Sequence, residues 1–197
     1  MKKFEKIIGI IAVFAIILKF IPISGSSILT TLTLSILTLF YYVFSFAFFN
    51  DIPLKGIFKK SSYKSSKRIV GAIGVGFALS SIILGITFKL QFWPGAIMHF
   101  KVGLVTLGII LLIAIIYYSR TKAEYYIRIF KRIAIYGSFG LILYLTPATT
   151  LADIYYRNNP EYAELFKQVL ADPNNEQLRE QLEQMRVKTH GGTITRE

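Results

Sequence analysis

Five apolar runs, each near the length of a membrane-crossing helix and free of acidic residues, constrain this chain more than any other feature. They cover 7–23, 28–49, 69–88, 102–119 and 133–151. A bilayer's hydrocarbon core is about 30 Å thick, so a helix needs roughly 20 apolar residues to cross it. Lipid offers no partners to backbone N–H and C=O groups, so runs of this kind must be helical. The one charge inside them is Lys19, near a run's end, where a long side chain reaches the interface. Composition agrees: 53% of the 197 residues are hydrophobic and only 17% charged, against roughly 25% charged in an ordinary soluble domain. Mean hydropathy is +0.51. The expected fold is all-α and polytopic: a transmembrane domain of five helices over 1–151, and a short helical extracytoplasmic tail over 152–197. Lys2, Lys3 and Lys6 before the first run also suit a signal peptide, but Ser24-Gly25-Ser26 is a weak cleavage site.

Charge gives the expected orientation. The net charge is +12, yet 152–197 holds six basic against eight acidic residues, and 1–151 seventeen against three. The basic excess lies in Lys2/Lys3/Lys6, in Lys55/Lys59/Lys60/Lys64/Lys67/Arg68, and in Arg120/Lys122/Arg128/Lys131/Arg132. Five crossings put all three segments on one side, and the positive-inside rule makes that side cytoplasmic. The N-terminus is then inside and the tail outside, in a bacterial inner membrane. Beside transmembrane helices these cations need topology and anionic lipid to explain them, and no nucleic acid.

An offset of 70 residues aligns Ile16, Lys19 and Gly25 with Ile86, Lys89 and Gly95. Each copy is a helix ending near a lysine, a Gly turn and a second helix. Two similar hairpins plus one further helix are the expected plan. In the second copy, Phe88-Lys89-Leu90-Gln91-Phe92-Trp93-Pro94-Gly95-Ala96, followed by Gly103-Leu104-Val105-Thr106, resembles the transmembrane hairpin of the GldL family. Members of that family are inner-membrane motor proteins of bacterial gliding and type IX secretion. The resemblance covers roughly 35 of the 197 residues. It implies a shared hairpin and an envelope setting. Phe92 replaces the family's His, and Leu107 stands where the motor carries a membrane carboxylate, so proton-driven activity is not implied. Lys89, Trp93, Pro94, Gly95, His99 and Lys101 form the expected partner or lipid site at this turn. A Trp in the interfacial aromatic belt and a Pro-Gly turn give the plainer explanation.

Little else points to chemistry. Gly71-Ala72-Ile73-Gly74-Val75-Gly76 lacks the preceding strand of a phosphate-binding loop; Ala72, Gly76 and Ser80 instead make a small-residue face for helix packing. Before residue 152 the acids are Glu5, Asp51 and Glu124, well separated in sequence, and the two His residues are His99 and His190. No catalytic residue, metal site or cofactor is expected, and the absence of cysteine excludes thiolate ligands and disulfides.

In the tail, Asn159-Pro160-Glu161 is a strong helix start, and Tyr162, Leu165, Phe166, Val169 and Leu170 form an apolar stripe suited to docking. Leu178, Leu182 and Met185 repeat at helical spacing in a second helix. The expected partners are membrane lipid and either another protein or a second copy of the chain. The foremost functional expectation is a non-catalytic inner-membrane subunit of an envelope complex. A small transporter or channel, and a lipid-binding or lipid-modifying protein, are the alternatives.

Overall fold

A computed structural model describes residues 1–21, 25–57 and 66–190. Lys59, Lys60 and Lys64, part of the expected basic loop, lie outside them. The described residues are helical with no strand. They fall into two compact units, Met1–Lys19 with Ile23–Leu145, and Phe20–Pro22 with Thr146–Glu197.

The first unit holds α1 (Lys2–Lys19), α2 (Ser26–Phe49), α3 (Ser66–Leu90), α4 (Ala96–Thr121), α5 (Glu124–Arg132), a π-turn over Ile133–Gly137, and α6 (Ser138–Leu145). The helices α2, α3 and α4 are each long and apolar enough to cross a membrane. The interrupted segment from Glu124 to Tyr155 makes a fourth if it counts as one crossing. These are the features of a multi-pass membrane protein. In α1 the uncharged stretch runs only from Ile7 to Leu18, between Lys6 and Lys19.

The expected fifth helix over 133–151 is differently built. Helix begins earlier, at Glu124, and stops at Leu145, because Pro147 has no N–H to continue the ladder. Pro147 takes an extended conformation (φ −60°, ψ 149°) and precedes a separate helix, α7 (Ala148–Tyr155). The tail unit therefore begins at Thr146 rather than 152.

Packing centres on α3, which lies against both α2 and α4. Val75, Leu79, Ile82 and Ile83 are fully buried in it. Its apolar window is 61% buried, against 22% in α4. Ala72, Gly76 and Ser80 are all buried. A Cβ at Gly76 would strike Ser45 and come within 2.5 Å of the Tyr41 carbonyl oxygen, so only glycine lets α2 and α3 approach this closely. At the turn into α2 and the turn into α4, Gly25 (φ 83°) and Gly95 (φ 94°) both take the left-handed conformation that glycine enters without strain. The two residues aligned by the 70-residue offset thus do the same work in the two hairpins.

The outward faces are apolar. Ile7, Ile10, Val13 and Ile17 on α1, and Val105, Ile109, Leu112 and Ile116 on α4, are each more than half exposed. In water such faces cost about 25 cal/mol per Å² of apolar surface; against acyl chains that cost is absent.

The tail unit packs by itself. Asn159 Oδ1 accepts the Tyr162 N–H at 3.1 Å and caps α8 (Pro160–Ala171), with Pro160 in the first turn. Tyr156 stands 4.6 Å from the Tyr162 ring and 5.1 Å from Phe166. Burial pushes the Tyr156 phenol up to about 12. Helix α9 (Glu176–His190) packs on α8, and Leu178, Leu182 and Met185 are half-buried.

Gly103→Val tests this packing, because a Cβ there would lie 2.9 Å from the Ile82 backbone nitrogen and 3.1 Å from the Ala78 carbonyl oxygen. Backbone cannot yield, so the variant should lose about 1–3 kcal/mol in reversible unfolding in detergent. Gly108→Ala, whose Cβ meets nothing within 4 Å, should be neutral or slightly stabilising. Equal losses at the two positions would contradict the packing.

Candidate functional site

Taking a carboxylate out of water costs several kcal/mol unless charge and hydrogen bonds compensate. Glu5, in the first turn of α1, is only 7% exposed. Compensation comes from far along the chain. Arg132, at the end of α5, donates from Nε to Oε1 at 2.9 Å and from Nη2 to Oε2 at 2.7 Å. Tyr41 Oη on α2 donates to Oε1 at 2.5 Å. The Arg132 guanidinium lies 4.9 Å from the centre of the Phe48 ring, a cation–π contact that strengthens as water is excluded. Tyr136 stands edge-on to Tyr41 at 5.4 Å.

The π-turn over Ile133–Gly137 follows Arg132 directly. Its i→i+5 bonds insert an extra residue into the helix, and such turns concentrate at functional positions. Just beyond Arg132 it shifts the register and brings Gly137 against α4, where a Cβ would lie 2.9 Å from Leu107. Leu107 is 4% exposed. The position compared above with a motor carboxylate is here a buried apolar contact.

Asp51 lies at the same end. It takes a left-handed backbone (φ 56°) and pairs with Lys2 at 2.7 Å and with Arg128. Burial raises its carboxyl, but Lys2 and Arg128 outweigh that and hold it below its usual range. Tyr125 Oη donates to the Arg68 carbonyl at 2.9 Å, and the Arg68 guanidinium lies 5.6 Å from the Tyr125 ring centre. Lys2, Arg68, Arg128 and Arg132, drawn from the three basic segments, therefore gather at one end of the bundle. Glu5 and Asp51, well separated in sequence, belong to one charge cluster there. Chemically the cluster is a clamp, since its donors converge on the carboxylates themselves.

A second polar cluster closes the opposite end. Lys19 Nζ donates to Ser27 Oγ at 3.0 Å and to Gln91 Oε1 at 2.6 Å. Gln91 Nε2 donates to the Ser27 carbonyl at 2.9 Å and to Thr31 Oγ1 at 2.6 Å. Lys19 is thus a clasp from the first hairpin to the second, rather than only a lipid anchor.

The expected partner or lipid site lies beyond that clasp. The Trp93 N–H donates to the Phe88 carbonyl at 2.8 Å, and Phe92 takes a left-handed φ of 56°. Trp93 and His99 both stand edge-on to Phe88, at 5.5 Å and 5.0 Å. Trp93 is 47% exposed; Pro94, Gly95 and Lys101 are exposed and Lys89 half-buried. Phe88 is what joins two members of this set. Of the tail set, Tyr162 is buried, while Leu165, Phe166, Val169 and Leu170 are half-buried. Tyr162 and Phe166 already stack within the tail.

Sequence reasoning missed Tyr41, Gln91, Arg128, Arg132 and Tyr136 as members of clusters. One signal was available: Glu5 and Arg132 each border an apolar run at the end where the basic segments gather, and charges at such borders need partners or water. Among the described residues, no three His, Cys, Asp or Glu side chains group as metal ligands would. No protein family, curated protein or solved structure matches this chain.

Removing one member of the clamp should be worse than removing both. Arg132→Met leaves Glu5 buried and unpaired and should cost roughly 3–5 kcal/mol. Adding Glu5→Gln should restore a large part of that, as reversible unfolding in detergent would show. Additive losses would mean that the two side chains act independently.

Proposed function

We propose that this chain is a non-catalytic integral inner-membrane subunit of a bacterial cell-envelope complex, docking a protein partner through its tail. The observation that carries this reading is the clamp, in which Glu5 accepts from Arg132 and Tyr41. The charge available among the membrane helices holds helices together instead of facing a substrate. Close glycine contacts at Gly76, Gly103 and Gly140 favour a fixed scaffold over a transporter that rocks between two states. A secretion or gliding setting rests on the Phe88–Ala96 motif.

Five crossings fit this reading. Arg132 pairs with Glu5 at the basic end, whereas a Cβ at Gly140 would lie 2.5 Å from Ile82 and 3.7 Å from Phe100, toward the other end. The segment after Arg132 therefore runs away from the basic end, as a fifth crossing must. The positive-inside rule then makes the N-terminus cytoplasmic and the tail periplasmic.

Alkaline phosphatase fused after Glu197 should be active, and the same reporter fused near Lys60 silent. Gentle-detergent purification of the full chain should retain a partner in fixed stoichiometry. Deleting 152–197 should release that partner while the membrane helices stay folded. The opposite reporter pattern would overturn the topology; a chain that purifies alone, or keeps its partner without the tail, would overturn the subunit reading.

A further inference from the structure

At the basic end, the start of α1 passes over the C-terminal end of α2 and the loop that follows it. A cavity of ≈ 380 Å³ opens there, lined by Lys2, Lys3, Phe48, Asp51, Ile52 and Pro53 among others. Its floor is apolar, with Phe48 at 2% and Ile52 at 3% exposure. Its rim is cationic. Lys2 and Arg128 share the single carboxylate of Asp51, and among the described residues Lys3 pairs with no carboxylate. The Arg128 Nε is buried and has no hydrogen-bond partner among the described residues. Two lysines thus rim the apolar floor, and Arg128, which lies outside the lining, pairs with the one carboxylate there. Ile7, one turn beyond Lys3 on α1, is 57% exposed and continues the apolar surface away from the rim.

We propose that this corner binds the phosphodiester headgroup of an anionic phospholipid. Lys2 and Lys3 would hold the phosphate oxygens, and the glycerol ester edge would rest on Phe48 and Ile52. The chemistry recognised is a phosphate. The apolar floor, with Ile7 one turn along α1, selects a lipid over a free ion, which has no use for either. Asp51 competes with the headgroup for Lys2 and so sets the affinity. The proposal rests on the reading that this end faces an anionic leaflet, although binding in detergent does not depend on which leaflet that is.

The test is native mass spectrometry of the full chain, titrated in a non-ionic detergent with phosphatidylglycerol and, separately, with phosphatidylcholine. A Lys or Arg near an anionic lipid contributes about 1 kcal/mol, or about fivefold in affinity. Phosphatidylglycerol should therefore be retained at least about fivefold better. Lys2→Gln with Lys3→Gln, both exposed and mild, should remove most of that preference. Asp51→Asn should raise it, because Lys2 is released to the ligand and a competing negative charge is removed. Millimolar inorganic phosphate should leave the lipid in place. Equal retention of the two lipids would overturn the proposal, as would an Asp51→Asn that weakens binding, since the corner would then be only an ion pair. Displacement of lipid by inorganic phosphate would make it a free-phosphate site and overturn the choice of lipid. None of these outcomes bears on the topology, which the reporter fusions decide separately.

Discussion

Glu5 reaches across 127 positions of sequence to Arg132, and both of its oxygens accept from that one guanidinium. An unpaired carboxylate at this depth would draw in water or force α1 outward. Paired, it fixes the first helix against the last helical segment of the membrane unit, with α2 supplying Tyr41 and Phe48 to the same cluster. At the other end Lys19 and Gln91 repeat the principle between the two hairpins. Polar contacts at the ends and glycine contacts along α3 divide the work, because mid-bilayer packing gains nothing from apolar burial and depends on close approach.

That division explains why α1 tolerates a short uncharged stretch. Its outward face is apolar, but both of its ends carry charge, and each charged end meets a partner on another helix. A helix that is marginal alone becomes stable when its terminal charges are matched by neighbours. The π-turn after Arg132 belongs to the same arrangement, since its extra residue lets Arg132 address Glu5 while Gly137 meets Leu107 on α4.

Much of this was legible in the sequence. Lipid leaves helix as the one solution for long apolar runs, so 28–49, 69–88 and 102–119 read directly as α2, α3 and α4. Gly25 and Gly95, aligned by a repeat of low identity, both take the left-handed turn conformation. The cap at Asn159 is likewise a local signal with a local outcome. What escaped was non-local. Nothing in the spacing of Glu5 and Arg132 announces that they meet, and the π-turn has no compositional mark. Pro147 sat inside an apolar run whose hydropathy concealed the break it imposes. The tail stripe is legible as a helical face, but its contacts with Tyr156 are not, since that ring comes from outside the stripe's own helix.

The central claim is that α1 is held against the π-turn segment at the basic end while the chain is in its membrane. The chain contains no cysteine, so cysteines placed at Gly9 and Tyr136 would act without background. A Cβ at Gly9 lies 3.8 Å from the Tyr136 hydroxyl. In native membranes a short bifunctional thiol-reactive reagent, such as a bis-methanethiosulfonate, should join the two in high yield within one chain. Full single-site labelling of both cysteines with no cross-link would contradict the account.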